Sequence, residues 1–156
     1  MKNKETILIV DDDELSRERI KHVFSKNAGY KIEEADSGKS ALELMEKSSV
    51  NIILLDVDMP EENGFEVCRK IRSTQKFETI PIIFITGAGN IEDKVKGFDT
   101  GGNDYITKPI TPQEVKIRVQ AHLRVKQAEV ERVELAAATA TAETEKKRAE
   151  ELEAAY

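Results

Sequence analysis

Short apolar runs recur along the chain and alternate with segments of helical spacing. Five such runs lie at 7–10, 31–35, 52–55, 82–85 and 104–107. The stronger runs are continuously apolar rather than alternating, which is typical of strands that helices cover on both faces. Between them, apolar residues three or four positions apart predict helices, as at Ile20, Val23 and Phe24. This alternation predicts an α/β fold with a parallel five-stranded sheet and right-handed crossovers.

Helix start signals support the same reading. Ser37 and Asn90 each stand where a helix is expected to begin, as N-cap residues do. In TPQE at 111–114, Thr111 can cap a last helix and Glu114 can complete a capping box. Asp13 and Glu14 are most simply the cap and first-turn acids of the first helix.

The last helix is predicted to continue far beyond a single domain. No glycine or proline follows Pro112, so one helix of about 65 Å can extend to Tyr156. Its apolar residues form two lines with three-four spacing, the pattern of a coiled-coil seam. The first line is Leu123, Val130, Val133, Ala137 and Ala140, and the second is Leu135, Ala138, Ala142, Ala149, Leu152 and Tyr156. We expect a domain at 1–126 and a helical linker or dimerisation segment at 127–156; a solvated single helix or a partly frayed tail is the alternative.

Composition narrows the class of protein. The chain has 156 residues, a net charge of -6 and one cysteine, Cys68. The negative charge argues against nucleic-acid binding, and the short apolar runs argue against a membrane span or a signal peptide. A single cysteine cannot form an internal disulfide, which fits a reducing compartment. We therefore expect a cytoplasmic protein. His22 and His122 are expected at the surface.

Polar residues follow four of the predicted strands. Asp11 and Asp12 follow the first, Asp56 the third, Thr86 the fourth and Lys108 the fifth. Because parallel strands end at one edge of a sheet, these side chains should meet in one pocket. Three carboxylates close together repel, so they need a cation, and an all-oxygen site suits Mg²⁺. Lys108 and Thr86 add a positive charge and a hydroxyl, and a phosphoryl group fits that inventory.

Four motifs resemble the receiver domain of two-component response regulators over residues 5 to about 126. They are ILIVDDD, LLDVDMPEENGFEVCRKIR, IIFITG and GGNDYITKPI, in the order that the family has. The resemblance implies a flavodoxin-like, doubly wound (β/α)5 fold with strand order 2-1-3-4-5. It also implies a cis bond before Pro109 and an aromatic switch at Tyr105. Tyr105 could otherwise be an ordinary core residue.

The resemblance also assigns roles in the pocket. Asp56 would be the phosphoacceptor, Asp12 a direct Mg²⁺ ligand and Asp11 an indirect one. The backbone carbonyl of Asp58 would be a further Mg²⁺ ligand. Thr86 and Lys108 would bind the phosphoryl group. The acidic side chain of Asp58 stands where members of the family vary, and we expect its charge to slow phosphorylation by an anionic donor.

The function implied is a phosphorylation-dependent signalling module rather than an enzyme. Its partners would be a sensor histidine kinase or phosphotransfer protein and a second copy through the C-terminal helix. The chain would be either a stand-alone regulator or a fragment that is followed by a C-terminal effector domain. One alternative is a haloacid dehalogenase-like phosphatase, because DVDMP resembles that family's nucleophile motif. In those phosphatases, however, the motif opens the fold and the acidic pair comes last. A coiled-coil adaptor with a degenerate receiver is the other alternative.

Overall fold

A computed structural model describes residues 4–26, 29–87 and 91–155, with the side chains of 91–93 and 155 left undescribed. In chain order, the strands and helices alternate with one extra 3₁₀ turn at Gln75–Phe77. Their bounds are β1 Glu5–Val10, α1 Glu14–Phe24, β2 Tyr30–Ala35, α2 Gly38–Lys47, β3 Ile52–Asp56, α3 Gly64–Arg72, β4 Ile82–Thr86, α4 Ile91–Asp99, β5 Asp104–Thr107 and α5 Pro112–Ala155. All five predicted strands and the helices between them are present.

The five strands form one parallel sheet in the order β2-β1-β3-β4-β5. The order implied by the resemblance is therefore confirmed, as is the α/β class. The crossover from β1 over β2 and back to β3 leaves a switch point between β1 and β3, where ligands bind in sheets of this kind. Register pairs Val10 with Leu55 and Thr86 with Thr107, so the strand ends lie side by side.

Two apolar cores cover the two faces of the sheet. Leu8 and Leu55 lie in the core that includes residues of α2 and α3, whereas Ile9 and Leu54 lie in the core that includes residues of α1 and α5. Successive residues of a strand point to opposite faces, so both faces of β1 and β3 need apolar side chains. This explains why their apolar runs are continuous.

Local caps fix where the helices begin. The Asp13 side chain accepts a hydrogen bond from the backbone N–H of Leu15, and Ser37 forms a capping box with Ser40. Asn63, whose capping role the sequence reasoning did not single out, accepts from the N–H of Glu66 at the start of α3. The predicted cap Asn90 lies outside the described residues.

The fourth helix differs from the simple amphipathic pattern. Val95 and Phe98 have the right spacing for a buried face, yet they are 54% and 52% exposed. Gly97 is buried instead, and a Cβ there would lie 3.1 Å from the Phe84 ring and 3.3 Å from the Phe65 ring. Because the helix approaches the sheet through a glycine, its larger apolar side chains are displaced outward.

An arginine links several elements at the amino ends of β4 and β5. The Arg72 guanidinium donates to the carbonyls of Gly101 (2.8 Å) and Phe77 (3.1 Å) and to Asn103 Oδ1 (2.8 Å). Asn103 Oδ1 also accepts from the backbone N–H of Ile82 at 2.9 Å. Burial lowers the pKa of Arg72 from its usual value. We call these five residues the amino-edge network.

The chain divides into two compact units, Met1–Leu123 and Arg124–Tyr156. In the first unit, the opening turns of α5 contribute Val115, Val119 and Leu123 to a core. In the second unit, residues 124–155 are helical and the side chains of 127–154 are exposed. Tyr156, the last residue of the predicted seam, lies outside the described residues. Among the described helices, none has a stretch apolar enough to span a bilayer.

Candidate functional site

The carboxyl edge of the sheet brings three aspartates together. Asp11 directly follows β1, Asp56 is the last residue of β3, and Asp12 is next to Asp11. One carboxylate oxygen from each lies within 4.8 Å of the other two. Asp11 and Asp56 are 2% and 3% exposed, whereas Asp12 is exposed. The structure therefore brings together the acids that the sequence placed at one edge.

Asp11 is held by hydrogen bonds at each of its polar groups. Its backbone N–H donates to the Ala35 carbonyl (3.1 Å), and its Oδ1 accepts from the N–H of Asp13 (2.9 Å). Its carbonyl accepts from Arg17 Nη1 at 2.7 Å. Burial raises the pKa of the Asp11 carboxyl from 3.8 to about 6, and the nearby charge of Asp56 acts in the same direction.

Asp56 and Lys108 form the central ion pair of the site. Lys108 Nζ lies 3.1 Å from Asp56 Oδ1, which also accepts from the N–H of Asp58 at 3.3 Å. The backbone N–H of Lys108 donates to the Thr86 carbonyl at 2.7 Å, which ties the end of β4 to the Lys108 backbone. The peptide bond between Lys108 and Pro109 is cis.

Burial in the pocket disfavours the ionised forms of the side chains that meet there. Burial raises the pKa of Asp56, and the Lys108 ammonium offsets only part of that shift. For Lys108, burial favours the neutral amine, but the hydrogen bond and charge of Asp56, then the charges of Asp11 and Asp58, raise its pKa overall. Protons or a bound cation would relieve the remaining excess of negative charge.

A close approach beneath Asp56 requires a glycine. A Cβ on Gly64 would lie 2.4 Å from the Asp56 carbonyl oxygen and 2.9 Å from the Val57 Cα. The Gly64 N–H donates to the Val57 carbonyl at 3.0 Å. The start of α3 is therefore held directly against the end of β3. The signal that the sequence offers for this contact is a glycine eight residues after Asp56, at the start of a helix.

Thr86 and Tyr105 lie on neighbouring strands beside a small cavity. Thr86 is buried at the end of β4, and Tyr105 on β5 is half-buried. Both line the cavity, together with Val57, Phe65 and Phe84 among others. The Tyr105 ring makes an edge contact with Phe98, at 6.1 Å between centroids, and Lys94 Nζ lies 4.6 Å from its centroid.

The Asp58 side chain is exposed at the rim of the pocket. Its negative charge contributes to raising the pKa values of Asp56 and Lys108. A Cβ added at Gly87, which follows Thr86, would lie 3.7 Å from Asp58 Oδ2, so the two residues face each other across the rim. The side chain thus extends the acidic field of the pocket toward solvent.

The donor set fits Mg²⁺. Three carboxylates with oxygens within 4.8 Å of one another offer hard ligands in an acidic pocket, and one of the three residues is open to water. Mg²⁺ prefers such oxygen ligands and retains several waters. No histidine or cysteine belongs to this cluster in the described part of the chain, so softer metals lack their usual ligands there.

One surface expectation was wrong. His122 is half-buried, and its Nε2 lies 3.0 Å from Asp104 Oδ2. Arg118 Nη1 donates to both oxygens of the same carboxylate, at 2.7 and 2.9 Å. Burial alone would raise the pKa of Asp104, but His122 and Arg118 together lower it. Arg118 and His122 stand four residues apart on the same face of α5, so both can contact Asp104.

Comparison with known proteins places the chain in a family. A model described as the response regulator receiver domain matches residues 7–120. The chain belongs to the receiver domain family of response regulators. Phosphorylation-dependent signalling is the standard function of this family. The four motifs ILIVDDD, LLDVDMPEENGFEVCRKIR, IIFITG and GGNDYITKPI lie within the matched region.

Several curated relatives are similar to this receiver domain over most of its length. Response regulator MprA of Mycolicibacterium vanbaalenii is 40% identical over 118 residues, covering 76% of this chain and 50% of MprA. Transcriptional regulatory protein ResD of Bacillus subtilis is 40% identical over 120 residues, which cover 77% of this chain and 49% of ResD. A probable cyclic di-GMP phosphodiesterase of Vibrio cholerae is 42% identical over 124 residues, covering 79% and 27%. The chain thus spans about half, or less, of the length of these relatives.

Solved structures of receiver proteins superpose on the same region. A putative response regulator from Chloroflexus aurantiacus has a TM-score of 0.74 at 37% identity, covering 78% of this chain and 99% of its own. Chemotaxis protein CheY4 of Vibrio cholerae has a TM-score of 0.72 at 29% identity, covering 76% and 98%. These neighbours span nearly their full length within the receiver domain, in contrast to the curated relatives.

Proposed function

We propose that Asp56 accepts a phosphoryl group from a phosphohistidine or from a small phosphodonor. The observation that carries this proposal is the Asp56 carboxylate, which is buried, 3.1 Å from Lys108 Nζ and within 4.8 Å of oxygens of Asp11 and Asp12. A carboxylate that lies between a lysine ammonium and two further carboxylates able to bind a metal ion is suited to act as a nucleophile toward phosphorus.

The transfer itself requires little covalent chemistry from the protein. An oxygen of Asp56 forms a bond to phosphorus while the phosphorus–nitrogen bond of the phosphohistidine breaks, and the departing imidazole takes a proton from solvent. Lys108 already contacts Asp56 Oδ1, so its ammonium can also contact a phosphoryl oxygen with little movement. The buried hydroxyl of Thr86, on the next strand, is a second donor for the product.

We assign the cation to Mg²⁺. Asp11, Asp12, Asp56 and the Asp58 carbonyl would hold it, with Asp11 contributing indirectly. When bound, Mg²⁺ would supply positive charge to the oxygens of the phosphoryl group. The Asp13 N–H donates to the Asp11 carboxylate, and the Asp58 N–H donates to the Asp56 carboxylate. Both carboxylates are therefore oriented before a cation binds.

We further propose that Thr86 and Tyr105 transmit the change. A phosphoryl group on Asp56 would draw the Thr86 hydroxyl toward it, and Tyr105 would turn toward the space that Thr86 leaves. Both residues line one cavity, so a shift of Thr86 would change the space beside Tyr105. The packing of α4, β5 and the first turns of α5 would change as a result, because Tyr105 now contacts Phe98 and Lys94 of α4.

The remaining assignments concern partners. We propose domain bounds of 1–126 and 127–156, with the exposed helix of the second segment serving as a coiled-coil linker or homodimer contact. The response regulator relatives imply a histidine kinase partner. The relatives named as transcriptional regulator and phosphodiesterase are longer, so an effector domain outside this sequence fits the same pattern. The chain would act as a receiver in the cytoplasm and not as a turnover enzyme.

The test is phosphorylation by acetyl phosphate with Mg²⁺, followed by intact mass. We expect the wild-type chain to gain one phosphoryl group and Asp56→Asn to gain none. Asp99→Asn, on an exposed residue at the end of α4, is the matched control and should label normally. Labelling of Asp56→Asn to the wild-type extent would refute the assignment. Sustained turnover of p-nitrophenyl phosphate would instead favour the phosphatase alternative.

A further inference from the structure

Arg17 connects the acidic loop to the edge of the sheet. On the first turns of α1, its Nη1 donates to the Asp11 carbonyl at 2.7 Å, and its Nε donates to Glu34 Oε1 at 3.2 Å. The Arg17 side chain is 16% exposed, so both contacts are largely shielded from water. Glu34 belongs to β2, where it pairs with Ile9 of β1. One guanidinium therefore joins α1, the β1–α1 loop and β2.

This contact acts on Asp11, one of the residues proposed to hold the cation. Asp11 has its N–H bound to Ala35 of β2 and its carboxylate bound by the N–H of Asp13. The bond from Arg17 fixes the third polar group, the carbonyl, which lies in the peptide plane between Asp11 and Asp12. Holding that plane restricts the backbone rotation between Asp11 and Asp12, on which the directions of both side chains depend.

We propose that Arg17 is a positioning residue for the cation site, because its guanidinium donates at once to the Asp11 carbonyl and to Glu34. The inference rests on the proposed function, since it concerns the same Mg²⁺ site. Arg17 contacts neither the cation nor the phosphoryl group in this proposal. It holds the loop that carries Asp11 and Asp12 in the geometry that binding requires.

The effect is geometric rather than a matter of charge. Arg17 reaches Asp11 through its backbone carbonyl, which is uncharged, and the ion pair of Arg17 is with Glu34. A planar guanidinium can donate in two directions from a fixed frame, whereas an ammonium has no such frame. Arginine and lysine at this position should therefore differ.

The neighbouring lysine provides a matched control. Lys21 Nζ lies 3.1 Å from Glu34 Oε2, so it shares the same carboxylate as Arg17. Lys21 also pairs with Glu18, and it has no described contact with the acidic loop. Removing Lys21 takes one positive charge from Glu34 and leaves the bond to Asp11 in place.

The experiment measures Mg²⁺ binding by isothermal titration calorimetry without any phosphodonor, at a temperature well below unfolding. We expect Arg17→Met to bind Mg²⁺ about tenfold more weakly, since loss of a ligand-orienting partner has effects of that size. Arg17→Lys should bind Mg²⁺ about threefold more weakly, because lysine keeps the positive charge but lacks the planar guanidinium that donates in two fixed directions. Lys21→Met should match the wild type. Thermal unfolding in EDTA is recorded for each variant.

The outcomes separate this inference from the proposed function. If wild-type protein binds Mg²⁺ and Arg17→Met binds it equally well, Arg17 does not position the site and the inference fails alone. Equal weakening in Lys21→Met would also overturn it, because the effect would then belong to Glu34's charge. If Arg17→Met does not fold, Arg17→Lys decides, and wild-type affinity in that variant refutes the two-directional role. Absence of Mg²⁺ binding by the wild type would refute the proposed function itself.

Discussion

At the carboxyl edge of the sheet three aspartates share one pocket, whereas at the amino edge one arginine is surrounded by neutral acceptors. Burial raises the pKa values of Asp11 and Asp56, so the folded chain disfavours the charges that it holds there. Arg72 instead donates to three acceptors within 3.1 Å. Burial also lowers the pKa of Arg72, so both edges disfavour the charges that they bury. At the amino edge, hydrogen bonds within the protein satisfy the guanidinium, whereas at the carboxyl edge three carboxylates repel one another.

The two edges differ in whether groups of the protein already satisfy the buried charge. At the amino edge, the described contacts of the Arg72 guanidinium are hydrogen bonds to acceptors of the protein itself. At the carboxyl edge, Lys108 contacts one oxygen of Asp56 and cannot balance three carboxylates. A cation or a phosphoryl group therefore changes the free energy of the carboxyl edge far more than that of the amino edge.

The largest effect is expected at the amino edge, from Arg72→Met. Removing the guanidinium takes one donor from each of three acceptors and leaves the Gly101 carbonyl without this side-chain partner, so the free energy of unfolding should fall by about 3 kcal/mol. Asn103 Oδ1 keeps its bond from the Ile82 N–H. Urea unfolding measures this loss. Arg69→Met, on an exposed side of α3, is the control and should change little. Phosphorylation of Arg72→Met at low temperature should be normal; a large loss of labelling would mean that the two edges are not separable.

A smaller loss of stability is expected from Gly64→Ala, but here function should fall too. The added Cβ would meet the Asp56 carbonyl and Val57 Cα, so the start of α3 must move away from β3. We expect about 2 kcal/mol of destabilisation and slower phosphorylation at saturating Mg²⁺. A Cβ at Gly87 would make only an ordinary van der Waals contact, 3.7 Å from Asp58 Oδ2, so Gly87→Ala serves as the matched glycine. If both variants behave alike in urea unfolding and labelling, close packing beneath Asp56 is not what Gly64 provides.

The pH dependence of stability should reveal the stored cost at the carboxyl edge. With its pKa raised from 3.8 to about 6, folded Asp11 keeps a proton that the unfolded chain has already released. The contribution of Asp11 therefore destabilises the fold progressively as pH rises from about 4 to 6, and it is constant above that range.

Asp11→Asn should remove that decline. Unfolding by urea in EDTA at several pH values is the measurement, with Asp13→Asn as the neighbouring control. The pKa of Asp13 is lowered, chiefly by its hydrogen bond from Ser16, so loss of its charge should not stabilise the protein at neutral pH. A wild-type slope in Asp11→Asn between pH 4 and 6 would show that another group is responsible.

The sequence predicted the strands correctly, but it did not predict the side-chain contacts between helices and the sheet. Continuous apolar runs located the strands because both faces of the sheet are covered, and the strand ends then located Asp11, Asp56 and Lys108. These inferences need only the period of a strand and the parallel direction. Strand order needed the family resemblance, since any order of parallel strands satisfies the same apolar pattern.

Contacts that depend on how a helix is rotated were not predicted. Arg17 reaches the Asp11 carbonyl and His122 reaches Asp104 only because of the angle at which α1 and α5 pack on the sheet. Phe98 is half exposed because Gly97 takes the inward position on α4. Spacing along a sequence fixes which residues share a helical face, but small differences in rotation decide which of them touches a given strand.

The smallest effect is expected at the rim, from Asp58→Asn. The Asp58 side chain is exposed and contributes negative charge toward Asp56 and Lys108, so removing it should speed labelling by anionic acetyl phosphate about threefold at low salt. The effect should shrink as ionic strength rises, because exposed charges are screened. Glu66→Gln, an exposed acid on α3, is the control for a general change in net charge. Labelling and decay rates followed at several Mg²⁺ concentrations would test this, and identical rates for wild type and Asp58→Asn at low salt would confine the proposed electrostatic cost to the buried aspartates.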